Sequence, residues 1–130
     1  MKAHVARRVR CTFLGDDRNT IVALEVRYHA HDPWVMRFHF RYPIQEWTIG
    51  RELVDQAVAN RDMPAGEGDV VFQNAGPEEL MLTLRSPSGR CRLMLNRANL
   101  RQILSASYAL VPAGEEHIDW DEEFARLGAL

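Results

Sequence analysis

Few side chains in this sequence have a type and spacing that could do chemistry. His29 and His31 stand two apart, so an extended segment would aim both imidazoles to one side, with Asp32 or His39 as a further metal ligand. A structural zinc site needs four ligands at a recognisable spacing, and that set is missing, so the histidines read as exposed loop residues. The run from Glu115 to Glu123 offers paired carboxylates for acid–base work. No partner nucleophile or pocket-forming pattern adjoins it, and it reads as a solvated, acid-rich helix start. Ser86, Ser88, Ser105 and Ser107 occupy no nucleophile elbow. Gly66-Glu67-Gly68-Asp69 is too short for a phosphate loop and precedes a strand rather than a helix. Cys11 and Cys91 lie far apart, each within an apolar strand pattern, as buried reduced thiols would. The residues thus predict no catalytic site, no metal and no cofactor; the chain reads as a non-enzyme.

One group of side chains suits recognition better than catalysis. Trp34, Met36, Phe38, Phe40 and Tyr42 alternate with Val35, Arg37, His39 and Arg41. A strand sends successive side chains to opposite faces, so the large apolar groups face a core while Arg37, His39 and Arg41 face outward. Those three are the candidate partner-binding residues.

Elements on either side must hold that strand in place. Val5, Arg7, Val9, Cys11 and Phe13 share one strand face, Gly15-Asp16-Asp17-Arg18-Asn19 forms a turn, and Val22, Leu24, Val26 and Tyr28 alternate in a return strand. That is a hairpin with a loop of about five residues. Pro43 ends the next strand, Glu46 to Ile49 makes a short fourth one, and a helix runs from Gly50 to about Ala59 with Leu53, Val54, Ala57 and Val58 as its stripe. The second half repeats the plan. A loop from Met63 to Gly68 leads to a strand from Asp69 to Phe72. Strands through Leu80, Leu82, Leu84 and through Cys91, Leu93, Leu95 flank the turn Ser86-Pro87-Ser88-Gly89. Asn96 is a plausible N-cap for a helix bearing Leu100, Ile103, Leu104, Ser107, Tyr108 and Val111, stopped by Pro112 and Gly114. Asp119 with Glu122 has the form of a capping pair for a last short helix carrying Trp120, Phe124 and Leu127. A run of antiparallel strands followed by a helix, twice, predicts an α+β fold. The second helix has more apolar positions than one sheet needs, so Leu100, Ile103, Leu104 and Tyr108 are the candidate oligomer interface.

Composition agrees with an ordinary folded domain. The 130 residues are 46% hydrophobic and 26% charged, and read as one domain spanning 1–130. No run of about 18 apolar residues could span a membrane, and the N-terminus lacks an apolar signal core, so a cytoplasmic location is expected. Residues 113–130 hold six carboxylates against Arg126 alone, a net of −5; with a chain total of −2, the first 112 residues carry +3.

The order of several short motifs adds what the chemistry does not. Tyr28, Asp32-Pro33-Trp34, Trp47 with Arg51-Glu52-Leu53-Val54, Gly66-Glu67-Gly68-Asp69-Val70, Ser86-Pro87-Ser88-Gly89 and Val111-Pro112-Ala113-Gly114-Glu115-Glu116 follow one another as in the SsgA-like proteins, which the chain resembles from about residue 20 to 120. The resemblance implies an actinobacterial regulator of septation in sporulation-specific cell division. It would act as an adaptor that helps localise or support the tubulin-like division protein FtsZ, or that binds other SsgA-like proteins, at the septum. It also implies a Whirly-like fold of two four-stranded sheets, each with a helix, in a homotrimer. Whirly-like folds elsewhere bind single-stranded nucleic acid, the alternative function; Arg37, His39, Arg41, Arg90 and Arg92 face outward for it. The negative net charge and core-facing aromatics disfavour it, because such binding needs a positive groove with exposed rings.

Overall fold

The longest pairing in the chain is its first hairpin. In the computed structural model, which describes residues 3–41, 44–59, 64–66, 68–118 and 120–128, β1 (His4–Arg8) and β2 (Cys11–Leu14) both run antiparallel to β3 (Asn19–His29). One register holds throughout, from His4 opposite His29 to Leu14 opposite Asn19. Between the two stretches the Val9 N–H still donates to the Leu24 carbonyl at 3.0 Å, so the ladder to β3 continues without a bulge. What changes is the partner on the other edge. The Asn96 N–H donates to the Arg10 carbonyl at 3.0 Å, and beyond it β2 pairs with β8 (Gly89–Asn96). Asn19 already pairs with Leu14, which leaves Gly15 to Arg18 as the loop, one residue shorter than the sequence predicts.

β4 (Val35–Arg41) and β5 (Gln45–Gly50) extend the sheet from β3, and β7 (Glu79–Ser86) and β6 (Val70–Asn74) extend it from β8. The order β5-β4-β3-β2-β8-β7-β6, with β1 beside β3, is one eight-stranded antiparallel sheet. The resemblance implies two sheets; the long hairpin belongs to both runs of strands and merges them. The sheet is also curled. Phe38 on β4 and Phe72 on β6 meet edge to face with ring centroids 6.4 Å apart. A flat sheet would hold those strands about 24 Å apart.

Alternation places the core inside the curl. Met36, Phe38 and Phe40 of β4 are buried with Leu24, Val26 and Tyr28 of β3 and Leu80, Leu82 and Leu84 of β7. Trp34, counted with this ladder in the sequence, precedes the strand and is 48% exposed. The expectations for Tyr42, Pro43, Met63, Glu67 and the Asp119 cap lie outside the described residues.

α1 (Arg51–Ala59) and α2 (Arg97–Leu110) pack on one another and on the sheet. Asn96 caps α2, its side-chain oxygen accepting from the Asn99 N–H at 2.9 Å. Leu100, Ile103 and Leu104 are buried in the chain's own core, and Tyr108 is half-buried with its hydroxyl donating to Asp55 Oδ2 at 2.9 Å. Leu100, Ile103 and Leu104 therefore offer no spare apolar surface, and of the four only Tyr108 keeps part of its side chain open. The sequence argument weighed α2 against one sheet, whereas α2 also meets α1 and a sheet that curls around it. α3 (Trp120–Arg126) forms where expected, but Trp120, Phe124 and the following Leu127 are exposed.

Two arginines tie the helices together from inside. Arg51, the first residue of α1, is 1% exposed and donates to the carbonyls of Ser107 at 3.1 Å and Val111 at 2.8 Å, where α2 ends. Arg97, the first residue of α2, is fully buried and donates to the carbonyls of Val58 at 2.7 Å and Ala57 at 3.4 Å, where α1 ends. Buried cations at helix C-termini meet orphan carbonyls and the negative end of the macrodipole. The Arg51 guanidinium also lies against the rings of Tyr28 and Tyr108, 4.8 and 4.2 Å from their centroids.

Candidate functional site

Strand register sets out the outward face around β4. Arg41 stands opposite Ala23, His39 lies between Glu25 and Glu46, and Arg37 lies between Arg27 and Thr48. The three candidate residues do share one face, but their surroundings differ. Arg37 Nη2 reaches Asp32 Oδ2 at 3.2 Å, so a carboxylate already occupies it. His39 is half-buried, its Nδ1 3.7 Å from Glu46 Oε2. Arg41 is exposed.

The face holds residues that sequence reasoning did not assign to it. Arg8 of β1 is opposite Glu25, and Arg27 donates from Nε to Glu25 Oε1. That hydrogen bond, and the charges of Arg27, Arg8 and His39 beyond it, hold the Glu25 carboxyl below its usual range. The signal was available: Arg8 and Arg10 alternate on one side of the first strand, and the hairpin register carries them beside Glu25 and Ala23.

The other clusters offer little chemistry. His29 stacks with His4 at 5.5 Å between centroids and lies tilted against His31 at 5.1 Å. Burial lowers the His29 pKa, and the charges of His31, Arg37, His4 and Arg27 lower it further. Among the described residues no group of three or more His, Cys, Asp or Glu side chains could hold a metal ion. An apolar pocket of about 320 Å³ opens where the curl leaves a gap between Phe13, Val22, Phe40, Leu84 and Leu93. Its lining includes the Cys91 thiol, whose pKa burial raises, and, among the described residues, no carboxylate or imidazole. No helix among the described residues is long and apolar enough to cross a membrane.

Several of the motifs picked out by their order meet in space. The Tyr28 hydroxyl donates to the Pro33 carbonyl at 2.9 Å, and the Arg51 N–H donates to the Trp34 carbonyl at 2.8 Å. The Arg51 side chain reaches the Val111 carbonyl and Glu116 Oε2, the latter at 2.9 Å. Gly66 adopts φ +94, and a Cβ there would meet the Val70 carbonyl oxygen at 2.4 Å and a Leu53 methyl at 3.2 Å. Tyr28, Pro33, Trp34, Arg51, Val111 and Glu116 are thus joined in one assembly at the start of α1 and the end of α2, whereas the turn Ser86-Pro87-Ser88-Gly89 stands exposed between β7 and β8.

The same stretch carries the likeness to known proteins. The family model for "Streptomyces sporulation and cell division protein, SsgA" matches residues 22–116, from β3 to the carboxylate that holds Arg51. Sporulation-specific cell division protein SsgB of Frankia casuarinae is 37% identical over 114 residues, 82% of this chain and 78% of that protein. SsgB of Thermobifida fusca is 36% identical over 107 residues, 75% of each chain. Among solved structures, the SsgA-like sporulation-specific cell division protein of Thermobifida fusca aligns with TM-score 0.81 at 30% identity, over 97% of this chain and 96% of that one. The SsgB structure from work on mutations that correlate to longitudinal cell division during sporulation of Streptomyces coelicolor aligns with TM-score 0.80 at 26% identity, over 90% and 94%. Sequence and fold agree, and the chain belongs to the SsgA family of sporulation and cell division proteins.

Proposed function

We propose that this protein is a non-catalytic adaptor of sporulation-specific cell division, recruited from the cytoplasm to the septum to bind FtsZ or another SsgA-like protein. Family membership and relatives named as sporulation-specific cell division proteins support the setting. The observation that carries the adaptor reading is the outward face of β4. Arg37, His39 and Arg41 are not needed by the core, which lies on the opposite face, and FtsZ-type proteins are acidic. Guanidinium groups pair with carboxylates through two hydrogen bonds at once, which suits such a partner. The test is co-sedimentation with FtsZ polymers. Arg37→Glu/Arg41→Glu should weaken it while the fold stays intact with only a small loss of stability from the Arg37–Asp32 pair, and raised salt should weaken the wild type, because exposed pairs are screened over about 10 Å at 0.1 M. Unchanged co-sedimentation in the double variant removes this face; no co-sedimentation by the wild type removes FtsZ.

The adaptor would work as a homotrimer. With Leu100, Ile103 and Leu104 buried inside each copy, contacts between copies would fall on the other side of α2, where Ala98, Ser105 and Ala109 are exposed and small enough for close approach. A monomer mass by light scattering at micromolar concentration would rule this out.

A further inference from the structure

The outward face of the sheet is hollow at Ala23. Ala23 is exposed and ends at its Cβ; Arg41 stands opposite it on β4, and the unbroken hairpin register puts Arg10 opposite it on the other side. In the next row Arg8, Glu25 and His39 lie side by side. These residues, with Arg27, line a concavity of about 470 Å³. Four arginines face one glutamate there, a formal +3, in a chain whose net charge is −2. Arg27 is engaged with Glu25, whereas Arg8, Arg10 and Arg41 are exposed and take part in none of the ion pairs among the described residues.

We propose that this saddle binds an acidic peptide segment in extended conformation, with successive carboxylates on Arg8, Arg10 and Arg41. Arg8 and Arg10 are alternate residues on one side of a strand, about 6.7 Å apart, which is the spacing of alternate side chains in an extended peptide. Arg10 and Arg41 flank Ala23 at about two strand spacings, or 10 Å between backbones. Three open arginines spread over two strands offer a separate site to each of several anionic groups strung along a chain. A single-stranded nucleic acid also strings anions, but its groove needs rings on which bases stack. His39 is the only ring lining the saddle among the described residues. The saddle extends the adaptor reading from Arg41, which it shares with that face, to Arg8 and Arg10, and rests on that reading for its biological partner, though not for its chemistry.

The test uses the whole chain and a fluorescein-labelled decapeptide of alternating glutamate and serine, titrated by fluorescence anisotropy at low salt. The expected result is saturable binding that weakens at least about tenfold in Arg8→Ala/Arg10→Ala/Arg41→Ala, with an unchanged melting temperature. Ala23→Glu, which fills the floor and adds a negative charge, should weaken it as strongly. Arg90→Ala/Arg92→Ala, on exposed positions of β8, should leave it unchanged. Absence of saturable binding overturns the proposal, as does unchanged affinity in the triple and Ala23 variants or equal weakening by the β8 pair. Tighter binding of oligo-dT or anionic vesicles through the same arginines overturns the choice of a peptide. Peptide binding by a wild type that does not co-sediment with FtsZ supports the saddle and removes that partner alone. Co-sedimentation without peptide binding removes the saddle alone.

Discussion

Arg51 and Arg97 open the two helices, and each donates to the carbonyls that close the other. Arg51 reaches Ser107 and Val111 at the end of α2; Arg97 reaches Ala57 and Val58 at the end of α1. A cation at a helix start opposes that helix's own macrodipole, so each arginine's favourable site is the neighbouring helix end. Arg51 further holds Glu116, which brings the segment after α2 back over α1.

Removing either arginine should be severe. Arg51→Met strips the Val111 carbonyl of the Arg51 donor, removes one of the Ser107 carbonyl's hydrogen bonds and takes the cation from Glu116, and a loss of about 3–5 kcal/mol follows. Arg97→Met should cost a similar amount. Glu116→Gln should cost clearly less than Arg51→Met, because Arg51 keeps its carbonyl acceptors. Urea unfolding of the three variants measures this, and equal losses for Glu116→Gln and Arg51→Met would contradict it.

The two faces of β4 should respond differently to truncation. Phe38 is fully buried against Val26, Trp47 and Phe72, and Phe38→Ala should cost about 3–5 kcal/mol. Arg37→Ala loses a partly exposed ion pair with Asp32 and should cost under about 1 kcal/mol. Thermal melts decide it, and similar losses would mean the outward face is also packed.

Stability should fall as pH drops through the histidine range. The folded His29 pKa lies below its ordinary value of 6.5, through burial first and then the charges of His31, Arg37, His4 and Arg27. The unfolded chain therefore takes up a proton at a higher pH than the folded one, so stability is lost below about pH 6.5 until the folded pKa is passed. His29→Gln should flatten the melting temperature between pH 7 and pH 5; an unchanged slope would assign it to other groups.

Cys11 should be inert in the native protein. Burial, with the nearby Cys91 thiol, pushes its pKa to about 12, so only about one molecule in ten thousand carries the thiolate at pH 8. Native protein should react with iodoacetamide at Cys91 before Cys11, and Phe38→Ala should speed the reaction at Cys11. Peptide mapping by mass spectrometry reads both sites.

What the sequence by itself determined is local. Alternation from Trp34 to Arg41 separates Met36, Phe38 and Phe40 from Arg37, His39 and Arg41, and the 3.6-residue stripe with Asn96 ahead of it places α2, because side-chain direction along a strand or helix follows from backbone geometry alone. The ordered motifs also point to the family. The tertiary structure decided which elements meet. It merged the two runs of strands into one curled sheet, because the long hairpin offers an edge to each. It buried Leu100, Ile103 and Leu104 within one copy, because α1 and the curl cover them. On the candidate face it tied Arg37 to Asp32, left Arg41 open and brought Arg8 and Arg10 beside it. Periodicity tells a side chain which way to face; which charges become neighbours depends on strand register and burial between residues far apart in the chain.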